Sequence, residues 1–351
     1  MSGDPVMVAM SGGVDSSVAA ARLVAQGRHV VGVTLKLWGG ASDSGCCSVS
    51  DVDDARRVAQ QLGIDHHVFN FGDDFDRHVV TPYVEAHVDG RTPNPCIQCN
   101  RHLKFDRLLR RARALGFERI ATGHHARIVE GPSDHESDRR PMRHIGRGAD
   151  PAKDQSYVLY MLDQAQLACL ELPIGHLAKD EVRAEAARLG LRTAHKPDSQ
   201  DVCFITATGG RSAFLGERVE LTPGRVVDGT GAEVGRVDAV QLVTIGQRKG
   251  LRTAGGGAAR YVTSVDLATS TITVGSRRDL LDDHTTLHEL QWAHGPVTGP
   301  VTAQVSAHGR ADHAHITGDR VRWDEPHQRV APGQSVVLYR DDVVLGGGIA
   351  A

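Results

Sequence analysis

The sequence predicts an α/β amino-terminal domain built on a parallel sheet, followed by a small, mostly β central domain and a carboxy-terminal β-barrel. Over the first 200 residues, short apolar runs alternate with helical patterns, which is typical of a parallel sheet covered by helices. After about Phe204, helical periodicity disappears, and short alternating runs rich in Gly, Thr and Val are separated by turn residues. A chain of 351 residues has room for two or three domains, and we place the boundaries at 1–204, 205–275 and 276–351.

The amino-terminal elements follow from apolar runs and from the glycines that end helices. We expect strands at residues 6–9, 30–35, 64–69 and 119–121, and helices at residues 16–26, 51–63, 101–115 and 179–189. Gly63, Gly116 and Gly190 stand at helix ends because glycine readily adopts the left-handed conformation found there. Residues 131–150 are polar and rich in Gly, Pro, Asp and Arg, which predicts an exposed, flexible insertion.

The remaining elements are short strands. We expect them at residues 262–266, 271–274, 301–305, 315–323 and 335–345. Their spacing predicts a small sheet and then a compact barrel.

Composition indicates a cytosolic protein that crosses no membrane. Charged residues make up 24% of the chain and hydrophobic residues 40%, as in ordinary soluble proteins. No apolar run approaches the roughly 18 residues of a membrane span, and residues 1–5 lack the layout of a signal peptide. The six cysteines are therefore not expected to form a disulfide framework. Cys169 is interpreted as a small buried hydrophobe, and Cys46 and Cys47 receive no role. The net charge of −3 neither indicates nor excludes a nucleic-acid partner.

The most informative segment joins the first strand to the first helix. It comprises Ala9, Met10, Ser11, Gly12, Gly13, Val14, Asp15, Ser16 and Ser17. A helix amino terminus presents N–H groups to an anion, glycines allow close approach of the backbone, and the serines add hydroxyl donors. No lysine follows the glycines, so this is not a Walker A loop. An ordinary βα turn is the alternative, but the full pattern favours a phosphate site.

Three cysteines are candidates for sulfur chemistry. Cys96 and Cys99 lie in a Pro-rich loop before a predicted helix, and Cys203 follows a second loop about a hundred residues later. A position near a helix amino terminus lowers the pKa of a thiol, so we expect Cys99 to be a reactive thiolate. Three interpretations stay open: a zinc site completed by His124 or His125, a buried-core role for Cys203, and a sulfur-handling or redox site.

The helix expected after Cys99 is strongly basic. It carries Arg101, Lys104, Arg107, Arg110, Arg111 and Arg113. With α-helical spacing, residues 101, 104, 107 and 111 share one face, opposite an apolar one. Such a stripe is usually a solvated face, but beside a catalytic loop it is a candidate track for RNA phosphates. The basic loop 247–252 is a second candidate.

Taken together, these motifs resemble one family, the bacterial tRNA-specific 2-thiouridylases of the ATP-pyrophosphatase superfamily. The matching segments occur in order along essentially the whole chain, at residues 11–17, 91–100, 121–127, 153–157, 198–205, 245–250 and 332–335. The resemblance implies an adenine-nucleotide α-hydrolase-like sheet with a pyrophosphate (PP) loop. It also implies an ATP-consuming enzyme that replaces the 2-oxygen of the wobble uridine of tRNA by sulfur.

The same resemblance implies roles for individual residues. ATP would be bound by Ala9, Met10, Ser11, Gly12, Gly13, Val14, Asp15, Ser16, Leu35 and Gly123, with Mg²⁺ bridging phosphate oxygens and Asp15 as a helper. Cys99 would be the nucleophile, and Cys203 would carry a persulfide received from an upstream donor protein. The target base would meet Asn94, Pro95 and Cys96, and tRNA would contact His124, Lys153, Asp154, Gln155 and Gln334.

The implied reaction suits these residue types. Transfer of AMP to the uracil 2-oxygen would create a good leaving group and release pyrophosphate. The Cys203 persulfide would deliver sulfur to C2, and attack by Cys99 would leave a Cys99–Cys203 disulfide that a reductant resets.

Two positions depart from the common family pattern. Many members carry Asp where this chain has Cys96, and another branch carries a cysteine there, with three thiolates that hold a [4Fe–4S] cluster. Cys96, Cys99 and Cys203 could do the same, so persulfide relay and cluster delivery both stay open. In the last domain, residues 307–310 replace a more basic, aromatic stretch, which leaves RNA contacts there open.

Two other function classes are alternatives. Another adenylating enzyme, such as an amidotransferase synthetase or a tRNA lysidine synthetase, would need no protein sulfur. A nonenzymatic Fe–S or RNA-binding protein would bind nucleotide without cleaving it. Formation of AMP and pyrophosphate separates enzyme from binder, and sulfur incorporation separates a thiolase from other adenylating enzymes.

Overall fold

The amino-terminal sheet is parallel throughout in the computed structural model, which describes residues 4–37, 49–131, 142–198, 202–206, 210–252 and 259–351. Its strands are β1 (Val6–Ala9), β2 (Val30–Lys36), β3 (Asp65–Asn70), β4 (Arg119–Thr122) and β7 (Leu170–Glu171), in the spatial order β3-β2-β1-β4-β7. The order reverses between β1 and β4, and a crevice opens at such a point beyond the carboxyl ends of the strands.

Helices cover both faces of this sheet. Val6 and Val8 pack on one face with helices α1 (Val14–Ala25), α2 (Val49–Leu62) and α8 (Lys179–Arg188), whereas Met7 belongs to the core on the other face. The unbroken apolar run of β1 is thus explained, because alternate side chains of a strand point to opposite faces. The predicted α/β domain is confirmed, and its four predicted strands lie within one residue of their predicted bounds.

The other helical segments are short. They are α3 (Gly72–Phe75), α4 (Thr81–Val88), α5 (Pro95–Gln98), α6 (Leu108–Ala114), α7 (Gln164–Leu167), α9 (Cys203–Thr206) and α10 (Arg211–Gly216), the π-helical segments Asp76–Val80 and Cys99–Arg107, and the 3₁₀ turns Ser156–Leu159, Val240–Leu242 and Arg277–Leu280. Helix α10 lies beyond Phe204, where no helix was expected. Among the described residues, no helix has the length and apolar character needed to span a bilayer.

A small sheet and a closed barrel follow, as predicted. The small sheet consists of β8 (Gly224–Val227), β9 (Glu233–Val237), β10 (Tyr261–Asp266) and β11 (Thr271–Gly275). The barrel consists of β12 (Leu281–Trp292), β13 (Gly299–Gln304), β14 (Ala311–Thr317), β15 (Arg320–Gln328), β16 (Ser335–Arg340) and β17 (Val343–Ala350). Pairing of β12 with both β15 and β17 closes it.

Two predicted strands are in fact hairpins. The run 315–323 turns at Gly318, whose φ of +60° suits glycine, so it is divided between β14 and β15. The run 335–345 turns after Arg340 and is divided between β16 and β17. Each run carries apolar residues on both sides of its turn, which is why the sequence pattern joined them.

The predicted flexible insertion at 131–150 is wrong in its second half. Residues 142–147 form strand β6 (Met142–Arg147), which pairs with β5 (Ala126–Gly131) in an antiparallel hairpin, and residues 132–141 lie outside the described part of the chain. Strand β6 extends the barrel sheet, because Gly146 pairs with Val343 and the Arg147 N–H donates to the Asp342 carbonyl over 2.8 Å. Its polar composition hid this strand.

Candidate active site

One cavity of about 410 Å³ opens beyond the carboxyl ends of β1, β2 and β4. Residues of β1, β2, the phosphate loop and the segment after β4 line it, namely Ala9, Met10, Ser11, Asp15, Ser16, Leu35 and Gly123. Its opposite wall includes Pro95, Cys96, Cys99 and Cys203. The structure therefore brings together the predicted phosphate loop and the three candidate cysteines.

The phosphate loop is shaped by two close backbone contacts. Gly12 has a φ of +74°, and a Cβ there would collide with the carbonyl oxygen of Asp51 in α2. A Cβ on Gly123 would lie 2.6 Å from the backbone nitrogen of Ser16. Gly13 has an ordinary φ of −92° and is the N-cap of α1. The N–H groups of the first helical turn have no partner within the helix, so they can bind an anion. Geometry thus requires glycine at 12 and 123 but not at 13.

The three loop serines differ in role. Ser17 is fully buried, and its hydroxyl donates to the Gly13 carbonyl over 2.7 Å, so the prediction that it donates to a ligand is wrong. The Ser16 hydroxyl accepts from the Ser11 N–H over 3.2 Å and stiffens the loop. Ser11 is exposed and lines the cavity, as does Ser16.

Positive charge reaches the loop from a lysine that the sequence analysis missed. The ammonium group of Lys179, at the start of α8, lies 2.7 Å from Asp15 Oδ1 and 2.9 Å from Asp198 Oδ1. His125 Nε2 also contacts Asp15, at 3.1 Å. Burial alone would raise the pKa of Asp15, but the hydrogen bonds with His125 and Lys179 outweigh it and hold the pKa below its ordinary value. A lysine at a helix amino terminus opposes the helix dipole, and that was the available signal.

A second lysine ties the loop to the segment that leads to Cys203. Lys196 Nζ donates to the Gly12 carbonyl over 3.0 Å and lies 2.6 Å from Asp51 and 2.7 Å from Asp54. Two residues later, Asp198 is paired with Lys153 at 2.7 Å as well as with Lys179. Residues 196–198 are thereby fixed to the phosphate loop.

The cysteine helix begins six residues earlier than predicted. It starts at Pro95, and the Asn94 side chain caps it by accepting the Cys96 N–H over 3.0 Å. Cys96 and Cys99 therefore lie inside a helix that continues to Ala114, not in a loop before it. The Asn94 side chain serves as a cap and does not line the cavity.

The prediction that Cys99 is a thiolate is wrong for the resting protein. Burial raises the pKa of Cys99 to about 12, and the charge of Lys104 opposes this shift only in part. Cys203 and Cys96 raise the pKa of Cys99 further, which shows that all three sulfurs lie near one another. The described cysteines, Cys96, Cys99, Cys169 and Cys203, are thiols.

A π-helical segment, Cys99–Arg107, divides the predicted basic stripe. In a π-helix, hydrogen bonds run from residue i to i+5, so residues five apart lie closer to one face than they do in an α-helix. Lys104 consequently joins Cys99 at the cavity. Arg107 lies outside it, 5.5 Å above the Phe71 ring and paired with Asp74 at 2.9 Å. The single-face stripe expected from α-helical spacing is therefore wrong.

The residues expected to contact tRNA are spread between the cavity and the barrel. His124, Lys153, Asp154 and Gln155 line the cavity, and Gln334 lies in the barrel, where its side chain accepts the Ala331 N–H over 3.2 Å. Burial, followed by the charge of Lys104, lowers the pKa of His124 well below its usual value, so this ring is neutral. Asp154 is buried and accepts hydrogen bonds from Arg147, Ser156 and the Gly148 N–H.

The barrel also contributes to the cavity. Ala307 and His308, in the turn after β13, form part of its wall. This turn belongs to the segment 307–310 whose RNA contacts the sequence left open.

The cavity contains no ready set of metal ligands. Across the described ranges, the group of three ligand atoms close enough to share one ion is Asp282, Asp283 and His284, away from the cavity. This speaks against the zinc interpretation of Cys96, Cys99 and Cys203. The carboxylate of Asp15 lines the cavity and contacts Lys179 and His125, and its role as a Mg²⁺ helper stays a prediction. Cys46 and Cys47 lie outside the described residues.

Comparisons with known proteins cover nearly the whole chain. Family models match it at residues 4–207 (tRNA methyl transferase HUP domain), 212–276 (tRNA methyl transferase PRC-barrel domain) and 282–350 (aminomethyltransferase beta-barrel domain). A protein of Roseiflexus castenholzii named tRNA-specific 2-thiouridylase MnmA is 44% identical over 366 residues, which cover 98% of each chain. A protein of the same name from Mycolicibacterium smegmatis is 46% identical over 352 residues, covering 96% of this chain and 95% of the other.

Among solved structures, similarity is weaker. The U34-tRNA thiolase NcsA from Methanococcus maripaludis with its [4Fe-4S] cluster is 18% identical, with a TM-score of 0.36 over 61% of this chain and 62% of that chain.

Proposed function

The chain belongs to the tRNA-specific 2-thiouridylase family and is a tRNA sulfurtransferase, and on that premise we propose that its cavity adenylates the 2-oxygen of the wobble uridine and then replaces this oxygen by sulfur. One observation carries the proposal, namely that the phosphate loop and the three cysteines line the same cavity. A nucleotide at the loop and a base inserted from tRNA meet there beside the thiols. Methyl transfer, which the names of two matching family models mention, would give these thiols no part.

ATP binding is supported by the loop itself. The phosphates lie at the amino terminus of α1, against the backbone that Gly12 and Gly123 keep open. The adenine lies against the apolar side chain of Leu35. Lys153 and Lys179 supply the positive charge that the loop lacks, in competition with Asp15 and Asp198. Any Mg²⁺ enters with its nucleotide, held mainly by phosphate oxygens.

Sulfur transfer then uses two cysteines. The uracil 2-oxygen attacks the α-phosphorus of ATP, and pyrophosphate leaves. The terminal sulfur of a persulfide on Cys203 attacks C2, and AMP leaves with the former 2-oxygen. Cys99 attacks the Cys203 sulfur, a Cys99–Cys203 disulfide forms, and the electron pair of the broken S–S bond stays on the sulfur now bound to C2. A thiol reductant resets the disulfide, and an upstream persulfide protein reloads Cys203.

The raised pKa of Cys99 imposes one requirement on this sequence. The resting thiol must lose its proton before it attacks, and Lys104 is the group that stabilises the resulting thiolate. When the base and the nucleotide exclude water, the attraction between the Lys104 ammonium and the Cys99 thiolate becomes stronger, because opposite charges attract more strongly in a lower dielectric.

Cluster delivery is the second candidate route, because Cys96 places a third thiol in the cavity. Cys96, Cys99 and Cys203 would hold a [4Fe–4S] group, whose remaining iron would supply bound sulfide. Three thiolates are suitable ligands for such a cluster. Their sulfurs are too far apart to share a single ion.

Product analysis tests the proposed function. With tRNA and a sulfur donor, the protein should form AMP, pyrophosphate and 2-thiouridine in equal amounts. Gly12→Val should abolish all three because its side chain collides with α2, whereas Gly27→Val, at a similar φ of +75° but with no neighbour within 4 Å, is the matched control. Release of ADP and phosphate would reject adenylation. On the same assay, Cys96→Asp retains full activity with a persulfide donor if the relay operates, and loses sulfide-driven activity and cluster absorbance if a cluster delivers sulfur.

A further inference from the structure

The turn that the barrel contributes to the cavity is held by a buried glutamine. Gln304 is 2% exposed and ends strand β13. Its side-chain Nε2 donates to the Ser306 carbonyl over 2.8 Å and to the Ala307 carbonyl over 3.3 Å. The Gly309 N–H donates to the Ser306 carbonyl over 3.1 Å and closes the same turn. The backbone around Ala307 and His308 is therefore fixed from below.

The other end of the same amide is held by the catalytic domain. Gln304 Oε1 accepts from Arg147 Nη2 over 2.9 Å, and Arg147 Nη1 donates to Asp154 Oδ2 over 2.9 Å. The Arg147 guanidinium also lies 3.9 Å from the centre of the Tyr339 ring in β16. Asp154 stands between Lys153 and Gln155 on the cavity wall, so this chain of contacts runs from the cavity to the barrel and back.

The orientation of the amide is set without ambiguity. Arginine can only donate and backbone carbonyls can only accept, so Oε1 must face Arg147 and Nε2 must face the turn. Reversing the amide would oppose donor to donor on one side and acceptor to acceptor on the other. A buried polar side chain satisfied at both ends is costly to disturb.

We propose that Gln304 is a positioning residue, which fixes the turn Ser306–Gly309 as a wall of the active-site cavity while Arg147 holds Gln304 from the catalytic domain. The inference rests on the proposed function only in that this wall seats the tRNA substrate. Gln304 itself touches neither substrate nor thiol.

Two substitutions separate the halves of this connection. Gln304→Glu keeps an acceptor for Arg147 but replaces the donor to the turn by a carboxylate oxygen that repels the carbonyls. Gln304→Leu removes both halves. Thr285→Val is the matched control, because it removes another buried hydrogen bond of the barrel, the one of 3.1 Å from Trp323 Nε1, without touching the turn.

The test measures KM for tRNA, kcat, the Kd for ATP and the rate at which iodoacetamide alkylates Cys96 and Cys99 in the substrate-free protein. Both Gln304 variants should raise KM for tRNA about tenfold and accelerate alkylation several-fold, with the Kd for ATP unchanged. Thr285→Val should lower Tm about as much as the Gln304 variants do, and it should alter neither the KM for tRNA nor the alkylation rate. If Gln304→Glu matches the wild type in both KM and alkylation, Gln304 does not position the turn. A wild type that fails to thiolate tRNA would reject the proposed function. Alkylation needs no turnover, so the alkylation rates would still decide whether Gln304 positions the turn.

Discussion

Cys99 lies one turn inside its helix, packed against the main apolar core on one side and open to the cavity on the other. We expected Cys99 to lie near Cys96, as it does, but we expected the helix to begin after Cys99. Burial, which a sequence pattern does not report, then reversed the direction of its predicted pKa shift.

The resting thiol should therefore react in a distinctive pH range. Because only the thiolate is alkylated, the alkylation rate of Cys99 should rise about tenfold per pH unit from pH 7 to 9.5. A cysteine in a model peptide levels off once pH passes its pKa near 8.5. Site-resolved mass spectrometry after brief iodoacetamide treatment gives the rate.

The matched variant for this measurement is Lys104→Met. It removes the charge that lowers the pKa of Cys99, so alkylation at a given pH should slow further. A plateau below pH 8 in the wild type would show that Cys99 is a thiolate at rest.

Other site residues also depended on information outside the local sequence. Glycines at 12 and 123 could be named from the motif. Lys179 carried only the signal of a lysine at a helix amino terminus, and nothing near Lys196 in the sequence marks it as a partner of the phosphate loop. Their roles follow from carboxylates that the fold brings within 3 Å.

Among the elements, the helical segment that begins at Pro95 differs most from expectation. An apolar pattern of period 3.6 predicts α-helix, and nothing in it signals that hydrogen bonds over Cys99–Arg107 shift to i+5. The shift moves Lys104 to the cavity and leaves Arg107 and Arg111 on the outer surface. Arg111 lies 5.6 Å above Phe69, much as Arg107 lies above Phe71.

This outer pair remains the candidate phosphate contact of the helix. Arg107→Glu combined with Arg111→Glu should weaken tRNA binding and reduce the slope of log affinity against log salt by about 2, since two phosphate contacts are lost. Filter binding across a salt series measures both, and the affinity for ATP should not change.

Arg110→Glu combined with Arg113→Glu is the control. It changes the net charge equally on the same helix, and its residues also have local partners, since Arg110 pairs with Asp106 as Arg107 pairs with Asp74, and Arg113 donates to Cys169. Equal losses in the two double variants would mean that general charge, and not a surface formed by Arg107 and Arg111, attracts tRNA.

Strands of the α/β domain were predictable from their own residues. Strands β1 and β2 were found because parallel strands buried on both faces are continuously apolar, whereas β3 is mostly exposed at the edge of the sheet. Strand β6 was missed because its polar composition looks like a loop, although it pairs along its whole length with β5 and joins the barrel sheet through Gly146 and Val343.

Across the whole molecule, the catalytic domain and the barrel share one core. Val337, Tyr339 and Val344 of the barrel belong to the same buried cluster as Tyr157 and Tyr160. The Tyr157 hydroxyl donates to the Ser335 carbonyl over 2.8 Å. The two parts should accordingly lose their structure together.

Two spectroscopic probes can follow them separately. The longer α-helices belong to the catalytic domain, so ellipticity at 222 nm reports on it, while Trp292 and Trp323 report on the barrel in a Trp38→Phe background. Both probes should give the same Tm, and Tyr339→Ala should lower both. If the two probes give Tm values that differ by more than a few degrees in the Trp38→Phe protein, the catalytic domain and the barrel do not share one core.

The pairing of β6 with β17 also has a consequence for how the chain is made. Gly146 leaves the ribosome about 200 residues before Val343, which at 5–20 residues per second is on the order of 10–40 s. During that interval the outer edge of the hairpin has no neighbour within its own chain and offers unpaired N–H and C=O groups to other chains. Chaperones that shield nascent strands should therefore matter more for the yield of this protein than for one whose domains are completed in the order of synthesis.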